Sequence, residues 1–382
     1  MANYDYEIVN GRKIRVRPKE TVSEIDKNGY FRRQPNHFTT PFGDGENDLK
    51  AEGNKRYRLV WAKLCHWSNR AATVRELEGL EDQISVNMVE HAPHEKNLGW
   101  EYVYNENNID PVLGDQFLSE AYYRADDDYQ GRTTVPALID TTTGKVVNND
   151  YNWLTTYFEV NFRPWHKKGA PELYPVELRE EIDKMNLWLF DNINNAVYRS
   201  SFSRSNEGHF DGVNTFYAAM DRLEKRLETN RFIFGDYVTD SDIRLYVTLA
   251  RLDIRYTTQL GETKRPLYTY KNLWGYAKEL WEIPAFAHHT DFAAIIRQGR
   301  IEGEEDGFRA STHYDLALPK IDWDAQWKVS TERAYLSSDP THPIYLGNNR
   351  RFDIDPTWYD LGAESPKKEE KETPPSCGCC CG

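Results

Sequence analysis

Cysteine is almost absent from the body of this 382-residue chain: Cys65 stands alone until Cys377, Cys379, Cys380 and Cys381 crowd the last six positions. A disulfide framework is therefore excluded ahead of that tail, and folding must rest on a buried core, for which the length is ample. No apolar run approaches the roughly 20 residues that cross a bilayer. The start, Met1-Ala-Asn-Tyr-Asp-Tyr6, has neither a basic n-region nor an apolar h-region. A cytoplasmic protein without a membrane span is the expectation. Positive charge is also in short supply, since 48 Lys and Arg face 61 Asp and Glu for a net charge of −13. Because the basic runs are interleaved with acids, nucleic acid is not expected as a partner. No metal is expected in the body of the chain.

What the chain has in quantity is aromatic surface, 13% of residues with 11 Trp and 24 Tyr, beside 29% charged residues. That is the composition of a folded protein rather than a disordered one. Tyr6-Glu-Ile-Val-Asn-Gly-Arg-Lys-Ile-Arg15 reads as two short strands around an Asn-Gly turn, followed by a loop-rich stretch. Arg56-Tyr-Arg-Leu-Val-Trp-Ala62 alternates like a strand, and Ser68 to Leu80 has helical spacing. Further strands are expected at Ile84 to Val89, at Thr134 to Ile139 with Pro136 at its entry, and at Gly144 to Asn148. The order β-α-β then β-β-α, with a thiol after its first strand, is that of a thioredoxin-like sheet, here carrying a long insertion between Glu90 and Arg132. From Tyr174 onward helical periodicity takes over, at 175–196, 211–229, 241–256, 271–281 and 284–298.

Cys65 thus falls at a strand-to-helix junction in Trp61-Ala-Lys-Leu-Cys-His-Trp-Ser-Asn-Arg70. Unpaired N–H groups and the positive end of a helix favour a thiolate, so the residue is placed to be a nucleophile. A free cysteine is otherwise a small buried apolar side chain. Ser68 stands where a dithiol enzyme would place a resolving cysteine, so an external thiol must complete any cycle, unless the tail does. Arg251 and Asp253 are read as structural partners shaping a pocket wall. The terminal Cys-Gly-Cys-Cys-Cys-Gly could be a soft-metal cluster, a thiol donor, a lipidated terminus or a tail without a role.

Across roughly residues 51 to 300 the chain resembles the xi-class glutathione transferases, also called glutathionyl-hydroquinone reductases. The resemblance rests on Arg56-Tyr57, Cys65-x-Trp67 with Arg70, Gly99-Trp100-Glu-Tyr102, and Gly131-Arg-Thr-Thr-Val-Pro136. Further support comes from Val147-Asn-Asn149, Asn194-Asn-Ala-Val-Tyr198 with Phe202, Thr239-Asp-Ser-Asp242, and Arg251-Leu-Asp253 with Tyr256. It implies an α/β thioredoxin-like N-terminal domain followed by an all-α glutathione-transferase C-terminal domain. The expected partition is an extension at 1–50, the glutathione-binding domain at 51–165, the helical domain at 170–300, a C-terminal extension at 301–362 and a disordered Cys-rich tail at 363–382.

The resemblance also implies chemistry. Glutathione is the co-substrate, an aromatic conjugate the other partner, and the protein a homodimer. Cys65 and Tyr198 are the catalytic pair, Tyr198 offering its hydroxyl to a quinol oxygen. Trp100, Val135, a cis Pro136, Asp150 and Tyr151 hold glutathione, with N–H groups of a helix opening at Asn148 to Tyr151 receiving the γ-glutamyl carboxylate. Trp67 and Tyr256 line the substrate pocket. The chain departs from the family at His66 and Ser68, where Cys-Pro-Trp-Ala is usual, at Asp150-Tyr151 instead of Glu-Ser, and in Asp291 to Arg300. His66 either tunes the thiolate or only occupies the helix start. A different thiol or acceptor, and a non-catalytic binding module on the same fold, therefore stand as alternatives.

Overall fold

The computed structural model describes residues 4–17, 23–91, 98–261, 265–297 and 322–338. The cysteines at 377, 379, 380 and 381, the Gln298-Gly-Arg300 end of the divergent segment, and the extension beyond 300 apart from 322–338 lie outside the described residues.

The Asn10-Gly11 turn, both residues at positive φ, joins β1 (Tyr6–Val9) to β2 (Arg12–Arg15) as an antiparallel hairpin. Arg15 carries this hairpin onto the main body, its guanidinium held between the Tyr4 and Tyr123 rings. The central strand, β3 (Tyr57–Trp61), is buried along its whole length because both its faces are covered. Tyr57, Leu59 and Trp61 enter one apolar core, and Val60, with Ala62 beyond it, enters another. β3 is followed by α1 (His66–Leu77) and then β4 (Ile84–Met88), which pairs parallel to β3. The short β5 (Glu90–His91) and β6 (Trp100–Glu101) and the helix α2 (Leu118–Ala125) come next. Antiparallel β7 (Ala137–Asp140) and β8 (Lys145–Asn148) complete a sheet of order β4-β3-β7-β8, and α3 (Leu154–Val160) follows.

This is a thioredoxin-like unit. The stretch read from sequence as an insertion contains α2, whose Leu118, Ala121 and Tyr122 cover the core face lined by Val60, Ile139 and Val146. The second face of the sheet requires that helix.

The helical part comprises α4 (Arg179–Leu189), α5 (Ala196–Phe202), α6 (Asn206–Arg226), α7 (Asp240–Arg251), the single turn α8 (Thr257–Gln259), α9 (Lys271–Trp281), α10 (Pro284–His288) and α11 (Phe292–Arg297). Two expected long helices change pitch instead of running through. Phe190–Asn194 is a π turn that lets the Asn194 amide reach the Arg244 carbonyl and the Thr248 hydroxyl of α7. Leu252–Tyr256 is a second π turn at the end of α7. The helix expected over 284–298 is broken at Asp291, which caps the Ala294 N–H and pairs with Lys63 at 2.9 Å. Beyond it, α12 (Trp323–Trp327) buries Trp327 against Tyr246, Trp274 and Phe292.

All twelve residues of α7 are buried, so its polar groups must be paired internally. The Asp242 carboxylate accepts from the N–H and hydroxyl of Thr239, from the Ile233 N–H and from the Tyr276 hydroxyl, at 2.8 to 2.9 Å. Asp242→Ala orphans those donors and should cost about 3 kcal/mol or more in urea unfolding. A loss below about 1 kcal/mol would contradict this role for the capping box.

Candidate active site

β3 delivers the chain into the turn Ala62-Lys63-Leu64, where the Cys65 N–H donates to the Ala62 carbonyl at 3.0 Å. Cys65 is the N-cap of α1, in extended conformation at φ −84° and ψ 121°, and its side chain makes no capping bond. The helix thus begins two residues earlier than the periodicity predicts, and the thiol sits at its mouth. The sulfur is partly exposed and 3.5 Å from the Val135 carbonyl, next to a cis Val135–Pro136 peptide. Every residue of α1 except Glu76 is buried, its polar Ser68, Asn69, Arg70, Thr73 and Arg75 included, because the helix is packed both by its own sheet and by α7 of the helical domain.

The turn is held from across the domain boundary. The Arg251 guanidinium donates to the carbonyls of Leu64 at 3.2 Å and Lys63 at 3.4 Å, to the Asn69 side-chain oxygen, and to Val247 in its own helix at 2.7 Å. Asp253 does not share in this: its carboxylate caps the Leu267 N–H. The expected Arg251–Asp253 partnership is therefore replaced by two separate ties, because the π turn swings Asp253 away.

His66 is completely buried, and its Nδ1 shares a 3.1 Å hydrogen bond with the Tyr256 hydroxyl. Burial, then the nearby guanidiniums of Arg251, Arg33 and Arg70, holds its pKa well below the usual histidine range. His66 is accordingly a neutral, structural residue at pH 7.

Cys65 opens onto a cavity of about 930 Å³ that also touches Trp67, Trp100, Val135, Tyr151 and Tyr198. Trp67 lies 4.7 Å from Tyr151 and 6.3 Å from Tyr198, ring centre to ring centre. Trp100 is anchored by its indole N–H on the Thr133 carbonyl at 3.1 Å. Burial first, and the neighbouring Cys65 sulfur second, raises the pKa of the Tyr198 phenol, so its hydroxyl stays a proton donor. Pro136, Asp150 and Tyr256 stand behind this surface. Asp150 is turned inward, accepting from the Asn36 amide at 2.8 Å and the Asn152 N–H at 3.0 Å. Tyr256 is engaged with His66.

α3 starts at Leu154, not within Asn148 to Tyr151 as expected. The N–H groups ahead of it are already in use: that of Asp150 on the Asn148 side chain at 2.9 Å and that of Tyr151 on the Asn149 carbonyl at 3.0 Å.

Residues from the segment read as an extension complete the site. Ile25 and Phe31 form a bridge around the Asn28-Gly29 turn, and the resulting strap lies along the cavity. Glu24 pairs with Arg132 at 2.8 Å, and Gln34 exchanges two hydrogen bonds with the Arg132 backbone. The other end is fixed to the helical domain by Phe31 N–H on the Ser203 hydroxyl and by Arg204 N–H on the Gly29 carbonyl. A side chain at Gly29, whose φ is +80°, would meet Ser205 at 2.9 Å. From this strap Arg33 places its guanidinium 4.4 Å from the Tyr198 ring centre and 5.3 Å from that of Trp67. The dense Tyr30-Phe-Arg-Arg33 run after an Asn-Gly turn was the available sequence signal.

The glutathione S-transferase C-terminal domain family matches residues 197–279. The chain is 34% identical over 279 residues to "Glutathione S-transferase omega-like 2" of Schizosaccharomyces pombe, covering 70% of this chain and 88% of that protein. It is 32% identical over 240 residues to the Escherichia coli glutathionyl-hydroquinone reductase YqjG, covering 63% and 73% respectively. The glutathione-bound structure of YqjG matches with a TM-score of 0.62 at 31% identity, over 71% of this chain and 88% of that one. The glutathione transferase Xi of Phanerochaete chrysosporium matches with a TM-score of 0.64 at 33% identity, over 69% and 90%.

A histidine kept neutral in the fold binds its proton more readily when unfolded, so its contribution is full above about pH 6.5 and is lost as pH falls. Stability measured by urea unfolding from pH 7.5 down to 5.5 should fall less steeply for His66→Gln than for the unaltered protein. Equal slopes would show that His66 takes up its proton as readily in the fold as in the unfolded chain and is not held neutral.

Proposed function

The chain belongs to the xi-class glutathione transferases and is a glutathione-dependent enzyme of the reductase and transferase type, and we propose that it reduces glutathionyl-hydroquinone-type thioethers through Cys65. The observation that carries this reading is the Cys65 sulfur at the mouth of α1, 3.5 Å from the Val135 carbonyl, opening onto an aromatic-walled cavity. In the proposed reaction the Cys65 thiolate attacks the sulfur of the conjugate and forms a Cys65–glutathione disulfide. The sulfur–aryl bond breaks, its electron pair goes to the aryl carbon, and a proton added there gives the free hydroquinone. A second glutathione, as thiolate, attacks the mixed disulfide, releasing glutathione disulfide and restoring Cys65. The aryl carbon is reduced by two electrons, which come from the conjugate's own glutathionyl sulfur and the thiol of the one free glutathione as the two join in glutathione disulfide.

In this scheme Tyr198 donates a hydrogen bond to a ring oxygen, a role supported by its protonated, buried hydroxyl beside the sulfur. Trp100 and Tyr151 flank the glutathionyl moiety, and the Val135 backbone beside Pro136 pairs with its cysteinyl unit. Trp67 forms the floor of the acceptor side, while Asp150 and Tyr256 act from behind it. We further propose a cytoplasmic homodimer, with a thioredoxin-like domain at 51–165 and a helical domain at 170–300. No helix among the described residues is long and apolar enough to cross a membrane.

One observation favours a thiol other than glutathione: the Asp150 and Tyr151 N–H groups, expected to receive a γ-glutamyl carboxylate, are engaged within the loop. Turnover with cysteine or another small thiol matching that with glutathione would support this second reading.

Cys65→Ala should abolish thiol-dependent release of hydroquinone from a glutathionyl conjugate, followed by chromatography; undiminished turnover would sink the scheme. Tyr198→Phe should lower kcat by ~10²-fold while leaving Cys65 able to form its disulfide. A Tyr198→Phe enzyme with unchanged kcat would remove the hydroxyl from the reaction.

A further inference from the structure

The charge of the cavity runs against that of the chain. In a protein of net charge −13, the cavity is bordered by Arg33, Arg132, Arg204 and Arg255 and by the two carboxylates Glu24 and Glu90. Glu24 is committed to Arg132 at 2.8 Å, and Glu90 accepts a hydrogen bond from the Tyr104 hydroxyl. The surplus is positive, and within it the strap holds Arg33 among aromatic rings.

Arg33 is half-buried, and its guanidinium carbon lies 4.4 Å from the Tyr198 ring centre, 5.3 Å from Trp67, 5.6 Å from Phe31 and 5.8 Å from Tyr151. Its Nε is fixed on the Asn195 side-chain oxygen at 2.9 Å, which sets the plane of the fork. One terminal nitrogen, Nη2, is shielded from solvent and has no hydrogen-bond partner. A buried donor on a charged group is costly to leave unmet, and a guanidinium fork matches a carboxylate in two parallel hydrogen bonds.

We infer that the acceptor side of this cavity is built for aromatic conjugates that carry an anionic substituent, a ring carboxylate foremost, and that Arg33 is the residue that reads it. The aromatic walls take the ring, and the guanidinium meets the substituent at its edge. The inference rests on the proposed reaction for the identity of the leaving aryl group, and it narrows that group to acidic hydroquinones. Arg33 comes from the segment 23–34, so the strap supplies acceptor specificity as well as closing the wall.

The test uses the full-length protein, glutathione as reductant, and three conjugates: glutathionyl-hydroquinone, its ring-carboxylated counterpart and the matching ring carboxamide. The unaltered protein should turn over the carboxylate with kcat/KM about tenfold or more above the carboxamide. Arg33→Gln should bring that ratio toward one, and Arg33→Lys, which keeps the charge without the fork, should leave it intermediate. A ratio near one in the unaltered protein overturns the inference without needing any variant, as does a preference that survives in a folded Arg33→Gln protein. If none of the conjugates is turned over, the reaction itself is wrong, and calorimetric binding of 2,5-dihydroxybenzoate against its carboxamide decides the anion site separately. Tighter binding of the acid that weakens in Arg33→Gln supports it, and equal binding refutes it.

Discussion

The site depends first on a buried cation that holds a loop. Arg251, at the end of the most deeply buried helix, directs its guanidinium to the backbone carbonyls of Lys63 and Leu64 and to the side chain of Asn69. A cation removed from water needs its donors met. Here all the oxygens that meet them, apart from the Val247 carbonyl in its own helix, belong to the turn and first helical turn on either side of Cys65. The position of the thiol is therefore set by the helical domain as much as by the strand that precedes it. The same packing carries the Arg244 side chain from α7 to the Asn152 carbonyl of the other domain at 2.7 Å, so the boundary is tied at two points along one helix.

That arrangement explains why His66 is tolerated at the helix start. Buried and crowded by guanidiniums, it stays neutral and spends its Nδ1 on Tyr256, which fixes α1 to the π turn after α7. It is a structural link between the domains. On the open side of Cys65 the N-terminal strap, Tyr198 and Trp67 enclose a space whose walls are aromatic and whose surplus charge is positive.

Most of the thioredoxin-like order was legible because alternation in Tyr57–Trp61, the proline before Ala137 and the lone thiol are local signals. Cys65 was named by that local signal, while Trp67, Trp100, Val135, Tyr151 and Tyr198 were named by the resemblance to the xi-class pattern, and the structure brings all six together around one cavity. What was not legible is what depends on distant partners. The need for α2 follows from a second sheet face that no single segment reveals. The π turns arise because Asn194 and Tyr256 find partners about fifty residues or more away in the chain. The strap carries no periodicity, and Arg33 enters the site only through the folding of Gly29 against Ser205. Asp150 and Tyr256 were assigned by position in a motif, and their side chains face inward for reasons set by Asn36 and His66.

The central claim is that Cys65 is the nucleophile of a monothiol cycle. It is tested most directly by incubating the protein with glutathione disulfide, then weighing it intact and mapping the modified peptide. The account predicts one glutathione on Cys65, removed by added glutathione, with the protein otherwise unchanged. An unmodified Cys65 under conditions that modify Cys377, Cys379, Cys380 or Cys381 would contradict it.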